Sequence, residues 1–166
     1  MPWNGFTASL ALALLGWAVV ACLAGAPAAR ADDIRFERSE LVVATASANH
    51  RFRVELAVTS AQRTQGLQHR PFLAENAGML FVFDEPGPVG MWMLNTLIPL
   101  DMIFIAADGR IVTIAERTKP KSLETVGSAG PAIGVLEVLG GTAARLGIRP
   151  GDRIVHPLLE RAGRSR

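Results

Sequence analysis

Cysteine is all but missing from this chain. Cys22 is the only one, and it sits in an apolar run near the start. Beyond that run, the absence of thiols excludes an intrachain disulfide, a cysteine-ligated zinc site and a cysteine nucleophile. Lysine is nearly as scarce: Lys119 and Lys121 are the only two, and the other cations are arginines scattered along the sequence. The first 31 residues contain no acid and one cation, Arg30. Past them, 16 Lys and Arg face 15 Asp and Glu, so no basic excess points to nucleic acid. Signature motifs are absent too. There is no phosphate loop and no dinucleotide fingerprint. Gly127-Ser128-Ala129-Gly130 is not a Gly-x-Ser-x-Gly elbow, and His50, His69 and His156 show no ligand spacing. No cofactor and no metal are expected.

What is present begins with that apolar run, residues 6–25, followed by Ala29-Arg30-Ala31 before Asp32-Asp33. Small side chains at the first and third positions before a cut suit a signal peptidase, so residues 1–31 read as a signal peptide cleaved after Ala31. Two alternatives stand beside it. Val19-Val20-Ala21-Cys22 is an imperfect lipobox that would lipidate Cys22, and the uncut run is almost long enough to anchor in a bilayer. Membrane contact is expected only through those two routes. The chain is therefore placed in the periplasm or outside the cell, with residues 32–157 as one domain and 158–166 as a fraying C-terminal tail in which Leu158 and Leu159 can still pack. The mature length suffices for a core without staples.

The domain reads as mainly β. Residues 51–59 alternate cleanly, Phe52, Val54, Leu56 and Val58 on one side and charged or polar residues on the other. Thr59 or Ser60 caps a short helix that Gly66 ends. Residues 78–83 form a continuous apolar strand, with a turn at Asp84-Glu85-Pro86-Gly87-Pro88 and a further strand over 89–94. Asp108-Gly109 joins 101–105 to 110–114 in a hairpin. A polar loop spans 117–131, then come a strand over 133–139, a short helix over 143–146 closed by Gly147, and a last strand near Ile154. Many short strands with one or two short helices imply a small barrel-like or sandwiched β fold.

Four stretches, in this order, resemble the domain of unknown function 192 (DUF192) family. Arg63-Thr-Gln-Gly-Leu-Gln-His-Arg70 is similar to Arg-x-x-Gly-Leu-Met-x-Arg, and Gly78-Met-Leu-Phe-Val-Phe83 follows it. Met91-Trp-Met-Leu-Asn-Thr-Leu-Ile-Pro-Leu-Asp-Met-Ile-Phe104 is similar to Trp-Met-Lys-Asn-Thr-x-x-Pro-Leu-Asp-x-x-Phe, and Val135-Leu-Glu-Val-Leu-Gly-Gly141 precedes Gly147 and Gly151-Asp152. The resemblance implies a mainly β fold with a short helix, often behind a signal peptide, and no particular reaction. Leu94 stands where the family has Lys, Gln68 where it has Met, and the cysteines that some members carry before Glu137 are missing. Residues 142–154 also look like a PDZ segment, but too little chain follows for that fold, and a helix, glycine stop and Pro-Gly-Asp turn explain them.

The candidate ligand-binding residues are Arg70, Trp92, Asn95, Thr96, Asp101 and Glu137. An indole face beside an amide and a carboxylate suits a small polar ligand. The same residues have structural roles open to them: Trp92 as core, Asn95-Thr96 as a turn, Arg63 and Arg70 as ties from helix to strand rather than an anion clamp. The leading expectation is a non-catalytic binding or accessory module for a small polar ligand or envelope component. The alternatives are a hydrolase of envelope polysaccharide or peptide with Asp101 and Glu137 as acid and base, and a membrane-anchored or lipidated structural partner.

Overall fold

Alternation is the force that builds the first hairpin. Phe52, Val54 and Leu56 of β2 (Asn49–Ala57) point into a core, while Arg51 and Arg53 point to water. β1 (Glu37–Ala44) pairs with it antiparallel in unbroken register, Leu41 opposite Phe52 and Val43 opposite His50. The computed structural model describes residue 1 and residues 34–164, so the expected signal peptide, the cut after Ala31, Cys22 and the 6–25 run lie outside the described residues.

Thr59 caps α1 (Ser60–Gln65) as expected. Its hydroxyl accepts from the Gln62 N–H at 3.2 Å, and the Gln62 side chain answers the Thr59 N–H at 3.0 Å, a reciprocal capping box. Gly66 stops the helix with φ +48°. α1 carries the chain across to β3 (Ala77–Gly87), which runs parallel to β2. Here the structure departs from the expected turn at residues 84–88: β3 continues to Gly87, and the irregularity appears as a register shift against its neighbour between Val82 and Gly87. The expected strand over 89–94 shrinks to β4 (Gly90–Met91), held by the two-residue β7 (Val126–Gly127) inside the supposed polar loop.

β5 (Leu100–Ile105) and β6 (Ile111–Ala115) form the expected hairpin. Gly109 sits at φ +84°, Asp108 Oδ1 accepts from the Arg110 N–H at 2.9 Å, and the Ala106 N–H meets Arg110 O at 2.8 Å. β8 (Ala132–Leu139) lies between β5 and β3, and α2 (Thr142–Leu146) and β9 (Arg153–Val155) follow. The seven-stranded sheet runs β6-β5-β8-β3-β2-β1-β9. Its two edges approach each other, because Ile111 N–H reaches Asp152 O and Ile154 N–H reaches Gly109 O, each at 2.8 Å. The fold is thus mainly β, a nearly closed barrel with three short helices among the described residues.

Two apolar layers cover the two faces of this sheet. One gathers Leu41, Phe52, Val54, Leu80, Ile103 and Leu136 with Ile154. The other gathers Met79, Phe81, Met102, Phe104 and Val135 under a roof of Leu67, Leu73, Val89 and Met93. The segment expected to fray is instead α3 (Pro157–Arg164), and Leu159 is sunk in the first layer at 1% exposure. The proline stands at the first helical position, where its missing N–H costs nothing.

His156 caps that helix. Its Nδ1 accepts from the Leu158 N–H at 3.2 Å, which leaves the proton on Nε2, 3.0 Å from Ser39 Oγ. Burial lowers its pKa below the ordinary 6.5. Protonation would remove the acceptor, so the unfolded chain takes up the proton first. Stability contributed by neutral His156 is complete above pH 6.5 and is lost as pH falls below it toward the folded-state pKa. Denaturant midpoints followed downward from neutral pH should show this decline, and His156→Asn, which keeps a capping acceptor, should remove this part of it.

Candidate functional site

Asp101 and Glu137 lie on neighbouring strands, and the pairing register decides their fates. Asp101 is opposite Val138, whereas Glu137 is opposite Met102. Side chains alternate along a strand, so the two acids leave opposite faces of the sheet. A pair working on one glycosidic bond has to share one cleft. The expected acid/base pair is therefore corrected by the structure.

Asp101 is fully buried and fully engaged. Oδ1 accepts from the N–H groups of Arg117 at 2.8 Å and Gly141 at 2.9 Å, and Oδ2 accepts from the N–H of Ala143 at 2.8 Å. Gly141 and Ala143 belong to the start of α2, which has no side-chain cap of its own. Gly141 holds φ +92°, a left-handed conformation that favours glycine, while the Arg117 guanidinium that a Cβ would meet at 2.8 Å is the movable end of a side chain. Asp101 is a structural carboxylate and offers no oxygen to a ligand.

Glu137 has the opposite environment. Met79 and Met102 flank it on the adjacent strands, both fully buried. It is 4% exposed and has no hydrogen-bond or ion partner among the described residues. Burial pushes its pKa from 4.5 up to about 8, so at neutral pH it is a carboxylic acid, able to donate one hydrogen bond and accept another.

That acid borders a cleft of about 170 Å³. α1 and the turn after it supply Arg63, Leu67 and Gln68; β3 supplies Phe81 and Phe83; the segment after β4 supplies Trp92, Leu94 and Thr96. Trp92 is half exposed at 51%, not core, and the residues from 92 to 96 form a turn and not the expected alternating strand. Thr96 N–H donates to Met93 O at 3.0 Å, and Asn95 takes φ +54°. Met93 is buried in the second layer and anchors this turn, its sulfur accepting from the Thr118 hydroxyl at 3.1 Å.

Of the six candidate residues, Trp92, Thr96 and Glu137 meet at the cleft. Asp101 does not. Arg70 does not either: it pairs with Glu55 of β2 and lies 5.7 Å over the Phe36 ring. Asn95 stands behind the wall, its Nδ2 donating to Gln68 Oε1 at 3.2 Å while its carbonyl accepts from the His69 N–H. Arg63 lines the cleft, but its Nη1 is spent on Val58 O at 2.6 Å and Val82 O at 2.9 Å, and Nη2 is 3.9 Å from Asp84. Arg63 thus ties α1 to β3, Arg70 ties the loop after α1 to β2, and they form no joint clamp. Gln68, Phe81 and Phe83 escaped the sequence reading. Their only signal was adjacency to motif residues already singled out. No group of three metal-ligating side chains occurs among the described residues.

The profile of DUF192, described as Uncharacterized ACR, matches residues 42–156. The chain belongs to the DUF192 family. Its cleft, Trp92 segment and Glu137 all fall within the matched DUF192 region. Among solved structures it is similar to a candidate transcription regulator from Sinorhizobium meliloti 1021, at 47% identity and TM-score 0.72, covering 74% of this chain and 96% of that one. It is also similar to a protein of unknown function from Novosphingobium aromaticivorans DSM 12444, at 43% identity and TM-score 0.70, covering 72% and 85%. No curated protein matches the chain.

The two acids should part company on mutation. Asp101→Ala leaves three N–H groups unanswered, two of them at the start of α2, and should cost about 3 kcal/mol in denaturant unfolding. Glu137 behaves differently because its folded pKa is raised: the unfolded chain ionises first, and stability falls as pH rises from 4.5 to about 8, then levels. The slope should approach ~1.4 kcal/mol per pH unit and disappear in Glu137→Gln.

Proposed function

We propose that this DUF192 chain is an exported binding module of the periplasm or cell surface, which holds a small ligand in the cleft between α1 and the Trp92 turn. The observation that carries the proposal is Glu137, an acid kept buried without a partner at the edge of an open, partly aromatic cleft. Leaving such a group unanswered costs free energy, so its retention favours use over packing. Trp92 supports the same reading. A half-exposed indole flanking a cleft offers a flat contact at little entropic cost.

Export rests on the 6–25 run and the Ala29-Arg30-Ala31 site. Lipidation at Cys22 and retention of the run as an anchor are the other ways this N-terminus would be used. The S. meliloti neighbour is named as a candidate transcription regulator; for this chain, a charge balance near zero beyond residue 31 gives no electrostatic support to nucleic-acid binding. The acid/base alternative loses its geometry with Asp101 on the other face.

Envelope-derived sugars and peptides titrated against the protein should quench or shift Trp92 emission saturably, and Trp92→Ala should weaken the same binding by about tenfold or more with the fold intact. Unchanged affinity in a folded Trp92→Ala variant would sink the proposal. Mass spectrometry of the natural product should find Asp32 at its N-terminus. A diacylglyceryl adduct on Cys22, or an uncut chain, would replace the free module with an attached one.

A further inference from the structure

The walls of the cleft say what kind of group it accepts. Glu137 as a neutral acid presents one donor and one acceptor side by side. The group that answers both at once, without charge, is a carboxamide, whose C=O accepts and whose N–H donates in the same plane. Arg63 is the other ionisable group on the wall, and it argues against a cation beside Glu137. A carboxylate fits little better. It has no hydrogen to give the acid's carbonyl oxygen, and Arg63 is already occupied by Val58 O and Val82 O and faced by Asp84. The rest of the wall sets the flat rings of Phe81, Phe83 and Trp92 beside polar Ser60, Thr64 and Gln65 of α1, while the Gln68 amide is held by Thr64 O and Asn95. A volume of about 170 Å³ falls below the ~300–1,000 Å³ of drug-sized sites, which suits a single ring or a short acyl chain.

We propose that the cleft takes a small ligand carrying a neutral carboxamide on a flat or apolar body, the amide meeting Glu137 and the body lying against Trp92. The inference rests on the cleft being the binding site argued above. It deepens that reading by naming the ligand's chemistry, and it makes binding sensitive to alkaline pH. Among the cleft-lining residues, no charged side chain other than Arg63 faces Glu137 from α1, from β3 and β5 on either side of its own strand β8, or from the Trp92 turn.

Three probes of one shape separate the possibilities: benzamide, benzoate and benzamidine, neutral, anionic and cationic on the same ring. Titrated by NMR against the whole protein, benzamide is expected to bind best at neutral pH and to perturb the Trp92 indole signal. Its affinity should drop about tenfold between pH 7 and pH 9 as Glu137 loses its proton. Glu137→Gln, which keeps a donor and an acceptor in the same shape, should bind benzamide with no such drop, and Glu137→Leu should not bind it. Benzamidine binding that strengthens above pH 8 would overturn the proposal and make Glu137 a counter-ion. Tighter binding of benzoate than of benzamide would overturn it as well, and so would the absence of saturable benzamide binding at millimolar concentration. If a charged probe wins in either of these ways and Trp92→Ala weakens its binding, the cleft stands as a binding site and only the amide falls. Should benzamide bind, N-acetylglucosamine against N-acetylglycinamide tells a sugar-borne amide from a peptide-borne one. Binding of either supports the proposal, and binding of neither by a cleft that holds benzamide restricts it to primary amides on a ring.

Discussion

One buried carboxylate holds the architecture of the site together. An ion out of water costs several kcal/mol unless its oxygens are answered, and Asp101 is answered by three backbone N–H groups drawn from two distant parts of the chain. Gly141 and Ala143 start α2. Arg117 opens the loop that also supplies Thr118, whose N–H and hydroxyl both return to Leu100 O next door. That loop in turn holds the Trp92 turn, through Met93 N–H to Ser122 O and Lys121 N–H to Thr96 O. The cleft wall therefore hangs on a loop that hangs on Asp101, although Asp101 itself faces the opposite side of the sheet.

The contrast with Glu137 is instructive. Two acids on adjacent strands, both buried, have received opposite treatment. One is wrapped in donors and stays structural. The other is surrounded by methionines, keeps its proton and borders open space. Where every local choice supports the fold, an unsupported one marks a position held for another purpose. The structural carboxyl and the one proposed to meet a ligand are thus told apart by what surrounds them, not by residue type or depth.

That distinction was out of reach of sequence reasoning, for a physical reason. β5 and β8 are buried on both faces, so Leu100–Ile105 and Ala132–Leu139 show no apolar–polar alternation to mark which side faces what. Without a register, Asp101 and Glu137 looked like partners. Where one face meets water the pattern was legible: α1 with the Thr59 cap and Gly66 stop, the Asp108-Gly109 hairpin and the turn before β9 stand where the residues put them, and so does β2 except at its end, where Val58, expected inward, lies past Ala57 and is exposed. The Trp92 stretch was misread as a strand because apolar alternation arises equally from a turn anchored by one buried methionine. α3 was missed because it is only eight residues long at the end of the domain, and it packs through Leu159 with Leu158 and Ala162 beside it, too short a stretch to stand out from a tail. The family motifs identified the fold correctly, yet motif membership did not separate residues that frame the cleft from those that face it.

The barrel is completed by its end. β1, the first strand, finds its second neighbour only in β9, and the layer inside is sealed by Leu159 of α3. Such closure joins residues at the greatest separation the domain allows, a slow kind of contact to make. A nascent chain lacking its final segment would carry an open sheet edge and an unfilled core, and so could not lock early. Closure is thereby postponed to the end of synthesis: the sheet keeps an open edge until the last turn of helix is there to seal it.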